Sequence, residues 1–169
     1  MERCLTFANA GPPMLSLAYN NNYQIVQSAA FLAIDVEMGH DVRRIVLDGT
    51  PHLPAHVRQW LGDSRGHWEG DTLVVDTTNF SEKYSFRGSD QNMHLTERFI
   101  MVDPETIIYR FTVDDPTAFT RPWSGEVPMM RFHEHIYEYA CNEGNRGLEG
   151  ILSAARADEK KAAQSGKAK

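Results

Sequence analysis

Arg43 and Arg98 are the residues whose type and placement promise chemistry, because each falls on an otherwise apolar strand face once its hairpin is put in register. A guanidinium in that position needs a partner or a ligand. If the two hairpins face one interior, the pair can hold a carboxylate, phosphate or enolate in a dry pocket. Asp41 or Asp76 would complete the network, and Tyr109 would stand on the same wall as Arg98. Proton transfer would fall to Asp76, or to His40 with its protonation tuned by the neighbouring Asp41. A plainer account has each arginine salt-bridged to Glu97, Asp41 or Asp76 and merely closing a barrel end.

Other groupings carry less. His133-Glu134-His135 sets two imidazoles on one face of a strand, a spacing able to hold a metal with His94 or His40 as a third ligand. A polar surface strand accounts for it as well, and no metal or other cofactor is assigned. Ser64 lies in Gly62-Asp63-Ser64-Arg65-Gly66, which is not a GxSxG elbow and has no strand running straight into it, so it does not indicate a serine hydrolase. Trp60, Trp68 and Trp123 suit either a ligand cleft or a core. Cys4 and Cys141 exclude a CxxC pair and a cysteine-based zinc site, and leave one long-range disulfide open.

The elements that position these residues follow from hydrophobic period. Between Phe31 and Asp48, Gly39-His40 reads as a two-residue hairpin loop. Met38 then faces Asp41, and Asp35 faces Arg44 on the solvent side. Leu32, Ile34, Val36 and Met38 share the core face with Ile45, Leu47 and the odd charges Asp41 and Arg43. Pro54 to Leu61 reads as a short capping helix, Gly62 to Gly66 and Trp68 to Asp71 as polar turns, and Thr72 to Thr78 as a strand. A second hairpin joins His94–Val102 to Thr106–Asp114; a two-residue loop sets Ile100 opposite Tyr109 and Arg98 opposite Phe111. Asp114 to Pro128, with three prolines, reads as irregular, and Arg131 to Cys141 as a further strand. Asn145 offers a cap for an amphipathic helix carrying Leu148, Ile151, Leu152 and Ala155, which would dock on the sheet.

Six or seven strands linked mostly as hairpins, with no βαβ alternation, exclude a doubly wound sheet. The predicted fold is mainly β: a curved antiparallel sheet or barrel of lipocalin-like or roll type, with a short capping helix and a C-terminal amphipathic helix. Residues 1–157 read as a single β-rich domain with an irregular arm over 1–20, and residues 158–169 as a charged flexible tail. The 169 residues are 41% apolar and 24% charged with a net charge of -6, which fits neither a disordered chain nor a membrane span. Seventeen Lys and Arg against twenty-three Asp and Glu argue against a nucleic-acid partner. Met1 to Thr6 has no basic or apolar segment, so no export signal is expected in the chain as written.

The run Gly66-His67-Trp68-Glu69-Gly70-Asp71-Thr72-Leu73-Val74-Val75-Asp76-Thr77-Thr78-Asn79-Phe80 resembles the signature of an uncharacterised family of bacterial proteins, usually exported. Asn22 to Gln27, Glu37 to Arg43, Leu61 to Gly66, Glu97-Arg98-Phe99, Thr112 to Pro116 and Tyr137 to Cys141 resemble it as well. Asn142 and Arg146 depart from the pattern, where His and an aromatic residue are usual. The resemblance implies a periplasmic or envelope home and supplies no activity. Two functions compete on the residues. One is a small-molecule-binding barrel; the other is a cofactor-free lyase, isomerase or hydrolase in which Arg43 and Arg98 hold an anion while Asp76 or His40 moves a proton. The enzyme requires a titratable base within reach of the arginines in a concave pocket, and the binder requires only an apolar cavity with a polar anchor.

Overall fold

In the computed structural model, which describes residues 7, 11–19, 21–39, 41–140 and 146–166, strands alternate burial as a half-covered sheet demands. Eight strands, β1 (Tyr23–Gln27), β2 (Phe31–Val36), β3 (Val42–Val46), β4 (Asp63–Glu69), β5 (Thr72–Thr78), β6 (His94–Asp103), β7 (Thr106–Asp114) and β8 (Trp123–Met130), pair in sequence order. All neighbours are antiparallel except β3 and β4, where Ile45 faces Ser64 and Val46 faces Arg65 in a parallel pair. The sheet curls into a half-barrel, so the mainly β, curved architecture expected from the sequence is the one observed. His40, Cys4, Cys141, Asn142 and Asn145 lie outside the described residues.

The β2–β3 hairpin keeps its predicted faces although its register differs. Ile34 faces Arg43 and Asp35 faces Val42, and the Val36 N–H donates to the Asp41 carbonyl at 3.1 Å, so the loop is longer than two residues. A shift of two positions preserves the inward set because side chains alternate with a period of two. Leu32, Ile34, Val36 and Ile45 are buried with Arg43. Asp35 therefore does not pair with Arg44. The Arg44 guanidinium stands instead 5.5 Å from the centroid of the Phe31 ring.

The β6–β7 hairpin slips by one, with the opposite result. Asp103 faces Thr106 as a two-residue loop requires, but an irregularity between Met101 and Asp103 absorbs a residue, and from there Met101 faces Ile107. Phe99 then faces Tyr109, Glu97 faces Phe111 and Arg98 faces Arg110. A one-residue slip exchanges the two faces, so Glu97 points inward and Arg98 outward.

Three segments depart from their sequence reading. Pro54 to Leu61 forms no helix: Val57 N–H closes one turn on the Pro54 carbonyl, while Gln59 exchanges backbone bonds of 2.9 and 2.8 Å with Asn79 and Ser81. Those bonds replace a helix too short to nucleate well. Residues 63–69 form strand β4 rather than turns, because every one of them has a partner on β5. Its inward positions are Ser64 and Gly66, which hide the alternation; a Cβ on Gly66 would lie 2.8 Å from Ile45 and Leu47. Trp123–Met130 forms β8, and Arg131 to Ala140 is not a strand. Pro128 is tolerated there because β8 pairs only with β7 and is an edge.

The core lines the concave side of the sheet: Leu32, Ile34, Ile45, Leu73, Val75, Leu95, Phe99, Tyr109, Phe111 and Val113. The N-terminal segment lies against it, with Met14 1% exposed and the Pro12 carbonyl accepting a 2.7 Å bond from the Tyr84 hydroxyl. By contact the chain divides into Met1–Tyr139 and Ala140–Lys169. The second unit holds helix α1 (Gly147–Gly166), with Glu149 in its first turn, and the helix takes in Asp158 and the charged residues after it through Gly166. No helix among the described residues is long and apolar enough to cross a membrane.

Gly125 tests the packing of β7 on β8. A Cβ at this position would stand 2.5 Å from the Phe111 ring, which is itself held between Tyr109 and Trp123. Gly125→Ala is expected to lower stability by about 1–3 kcal/mol in denaturant unfolding. An unchanged midpoint would contradict this packing.

Candidate functional site

Arg43 is fully enclosed, 2% exposed, on the inner face of β3. Its Nη1 donates to Glu97 Oε1 at 2.8 Å and its Nη2 to Glu97 Oε2, a bidentate pair with a carboxylate that is 0% exposed. Nε and Nη2 also donate to Ser64 Oγ at 3.1 and 3.0 Å, and Nη2 to Thr77 Oγ1 at 2.9 Å. The Tyr109 hydroxyl donates to Glu97 Oε1 at 2.7 Å and accepts the Met14 N–H at 3.0 Å. Five strands and the N-terminal segment thus meet at one ion pair. Burial alone would make the Arg43 guanidinium easier to deprotonate, but the Glu97 carboxylate against it reverses the direction. Burial, followed by the Glu97 charge, pushes the Tyr109 phenol well above its ordinary range.

All three guanidinium nitrogens of Arg43 are therefore taken up within the protein, and Tyr109 uses its hydroxyl in the same network. The expectation that Arg43 and Tyr109 anchor a ligand meets a closed set of bonds. Arg98 is on the other face, 39% exposed, with Nη2 2.6 Å from Glu69 Oε2. The two arginines do not converge, because the slip at Met101 turned the second outward. Asp76 also lies on the outer face, away from Arg43. His40, the other proton-transfer candidate, falls outside the described residues.

The outer face holds an arrangement that sequence reasoning missed. The His52 ring, in the connection between β3 and β4, bridges two carboxylates: Nδ1 is 2.9 Å from Asp63 Oδ2 and Nε2 is 2.8 Å from Asp76 Oδ1. His94, at the start of β6, brings its Nε2 to 2.5 Å from Asp76 Oδ2. Asp63 is 5% exposed and also takes Arg65 Nη2 at 3.0 Å and the Leu53 N–H at 2.9 Å. Asn79, in the left-handed region with φ 57°, donates its amide to the Leu53 carbonyl at 2.8 Å and so pins the connection that carries His52. Burial would raise the Asp76 carboxyl, but its bonds to His94 and His52 outweigh that and lower it. Asp63 is lowered in the same way, burial being outweighed by the Leu53 N–H, His52 and Arg65. The bond to Asp76 in turn raises His94.

His133 and His135 do not form the expected pair on a strand face. Residues 131–139 make no strand, and His133 Nε2 is 2.7 Å from Glu105 Oε2 at an exposed position. Among the described residues, no group of three or more His, Cys, Asp or Glu could hold a metal ion.

Two clefts open on this part of the molecule. The larger, about 910 Å³, lies between the β1 edge and the β6–β7 turn with β8; Met14, Ile107, Val127 and Met129 line it together with polar and charged residues such as Asn22, Glu105, Arg131 and Glu134. Burial pushes the Tyr23 phenol up to about 12. The smaller, about 450 Å³, is bordered by Asp41, Arg44, Trp60 and Gly62. Asp41 Oδ2 is buried without a hydrogen-bond partner, and burial pushes this carboxyl up to about 6 from an ordinary 3.8, against a backbone bond from Phe7. Asp41 thus lines a cleft that Arg43 also borders, while the Arg43 guanidinium is bonded to Glu97, Ser64 and Thr77. Comparison of the chain with protein-family models, curated proteins and solved structures gives no match.

Breaking the inner pair leaves a buried charge unpaired, so Arg43→Met is expected to cost about 3–5 kcal/mol in denaturant unfolding. Arg98→Met, at a half-exposed pair, should cost under about 1 kcal/mol. Equal effects would contradict the assignment of faces. Asp41 gives a pH test. Its folded pKa near 6 exceeds its ordinary 3.8, so the folded state holds the extra proton between those values and stability falls as pH rises through them. Asp41→Asn should remove that fall, so that its advantage in melting temperature over the wild type grows from pH 4 to pH 7. A constant difference would contradict the burial of this carboxyl.

Proposed function

We propose that the β domain binds a small, mainly apolar molecule in the cleft beside the β1 edge. The single observation that carries this reading is the cleft itself, whose volume of about 910 Å³ lies within the range of small-molecule sites. Its apolar lining from Met14, Ile107, Val127 and Met129 supplies the burial energy, and Asn22, Gln24 and His135 at the same cleft offer polar groups to orient a ligand. The concave centre of the sheet is filled by the Arg43–Glu97 network, which leaves the open side of the half-barrel as the place with room. The likeness of residues 66–80 to an exported bacterial family adds a periplasmic or envelope home to the proposal.

The binder is preferred over the acid–base enzyme because, among the described residues, no proton-transfer candidate stands near both arginines. The guanidinium of Arg43 reaches Ser64, Thr77 and Glu97, whereas Asp76 is on the opposite face. Native mass spectrometry of the purified protein tests the reading. A bound small molecule should be retained by the wild type and by Arg98→Met, and lost from Met129→Trp, whose indole fills the cleft while the melting temperature stays close to the wild type. Retention by Met129→Trp would contradict the assignment.

A further inference from the structure

The sheet ends in two strands whose free edges differ: β1 pairs only with β2, and β8 only with β7. On β8 the Arg131 N–H bonds the Glu105 carbonyl at 2.7 Å. Counting back in steps of two turns the backbone groups of Met129 and Val127 toward β7, and those of Met130 and Pro128 away from it. Pro128 thus stands where an outward N–H would be, and Glu126, bonded to Arg110, adds charge along that strand. Proline and charge both discourage a further strand from pairing with an edge.

β1 has neither. Its residues are Tyr-Gln-Ile-Val-Gln, and no Asp, Glu, Lys, Arg or His occurs from Cys4 through Ile34. The Asn22 carbonyl accepts the Glu37 N–H at 3.0 Å and the Ser28 N–H bonds the Phe31 carbonyl at 2.9 Å. Gln24 and Val26 therefore direct their backbone groups toward β2 as well, and Ile25 and Gln27 direct theirs outward. Among the described residues, none bonds the outward N–H and C=O of Ile25 and Gln27. Ile25 is 40% and Val26 54% exposed. We infer that β1 pairs antiparallel with β1 of a second copy of this chain, about a two-fold axis at Val26.

In that register Ile25 faces the second copy's Gln27 and exchanges both backbone bonds with it, and the symmetry repeats the exchange at Gln27. Val26 faces its own equivalent, so the most exposed apolar side chain of β1 is covered by another like it. Charge favours a second copy as the occupant. Each chain carries a net charge of -6, and copies approach with least repulsion where neither presents a charge, which β1 provides. The inference goes beyond the binding of a small molecule. Val26, Gln27 and Ser28 do not line the larger cleft, and its apolar residues Ile107, Val127 and Met129 belong to other strands. Either assignment can fail without the other.

The test is sedimentation velocity of the full chain from low micromolar to submillimolar concentration, with native mass spectrometry of the same samples. A reversible dimer is expected, with amide exchange at Ile25 and Gln27 slowed as concentration rises. Gln27→Pro removes one outward N–H from each copy without touching the bonds to β2, and should weaken the dimer roughly tenfold or more. Val26→Lys sets two ammonium groups against each other across the axis and should abolish it. Met130→Lys, on the β8 edge, should dimerise as the wild type does. Met129→Trp should lose the bound molecule and keep the dimer, and Val26→Lys the reverse. Val26→Lys, at an exposed position, decides the matter alone if Gln27→Pro fails to fold. A wild type that stays monomeric, leaving the edge to a strand of another protein or to water, a dimer undiminished in Val26→Lys, or one lost in Met130→Lys would each overturn the assignment.

Discussion

The buried bidentate pair between Arg43 and Glu97 constrains the rest of the molecule. Moving a guanidinium and a carboxylate out of water costs several kcal/mol each, and the loss is offset only if every remaining donor and acceptor is satisfied. Here Ser64, Thr77 and Tyr109 supply those partners, and each comes from a different strand. The pair therefore holds β3 through β7 to one registration: a slip of any strand by one position would strand a charge in the core. The Met14 N–H on the Tyr109 hydroxyl extends the same constraint to the N-terminal segment.

The location of the free volume follows from that closure. A half-barrel whose centre were empty would be expected to bind in its middle, as small barrels with ligands do. With the centre occupied by a satisfied network, the free volume is at the edge, where β1 and β8 lack outer neighbours and the larger cleft opens. The polar chemistry is found on the opposite face, where the connection after β3 folds back and brings His52 between Asp63 and Asp76. One face thus offers apolar volume and the other offers donors, and the sheet separates them.

Much of this was legible in the residues, for reasons that can be named. The inward face of β2 and β3, with Arg43 on it, came out of the alternation because a two-residue error in register does not change faces. Arg98 was misplaced because one residue absorbed near Met101 inverts everything beyond it, and an exposed Val102 carries no sign of that role. Strand β4 was invisible as a strand because its inward positions are Ser64 and Gly66, small because the Arg43 guanidinium and the side chains of Ile45 and Leu47 occupy the space. β8 was obscured by Pro128, which only an edge accommodates. The array of His52, Asp63, Asp76 and His94 depends on the parallel pairing of β3 with β4, a long-range contact with no local signature. The usable hint was the two-residue turn at Gly70-Asp71, which sets Arg65 against Asp76 and so places Asp63 and Asp76 on one face.

The most direct test of the central constraint is a double-mutant cycle on Arg43→Met and Glu97→Leu, followed by denaturant unfolding. If the two side chains form the enclosed pair, the double variant should be less destabilised than the sum of the single variants, by about 1–3 kcal/mol. Additive effects would mean that the side chains do not meet, and would contradict both the inward placement of Glu97 and the closed interior.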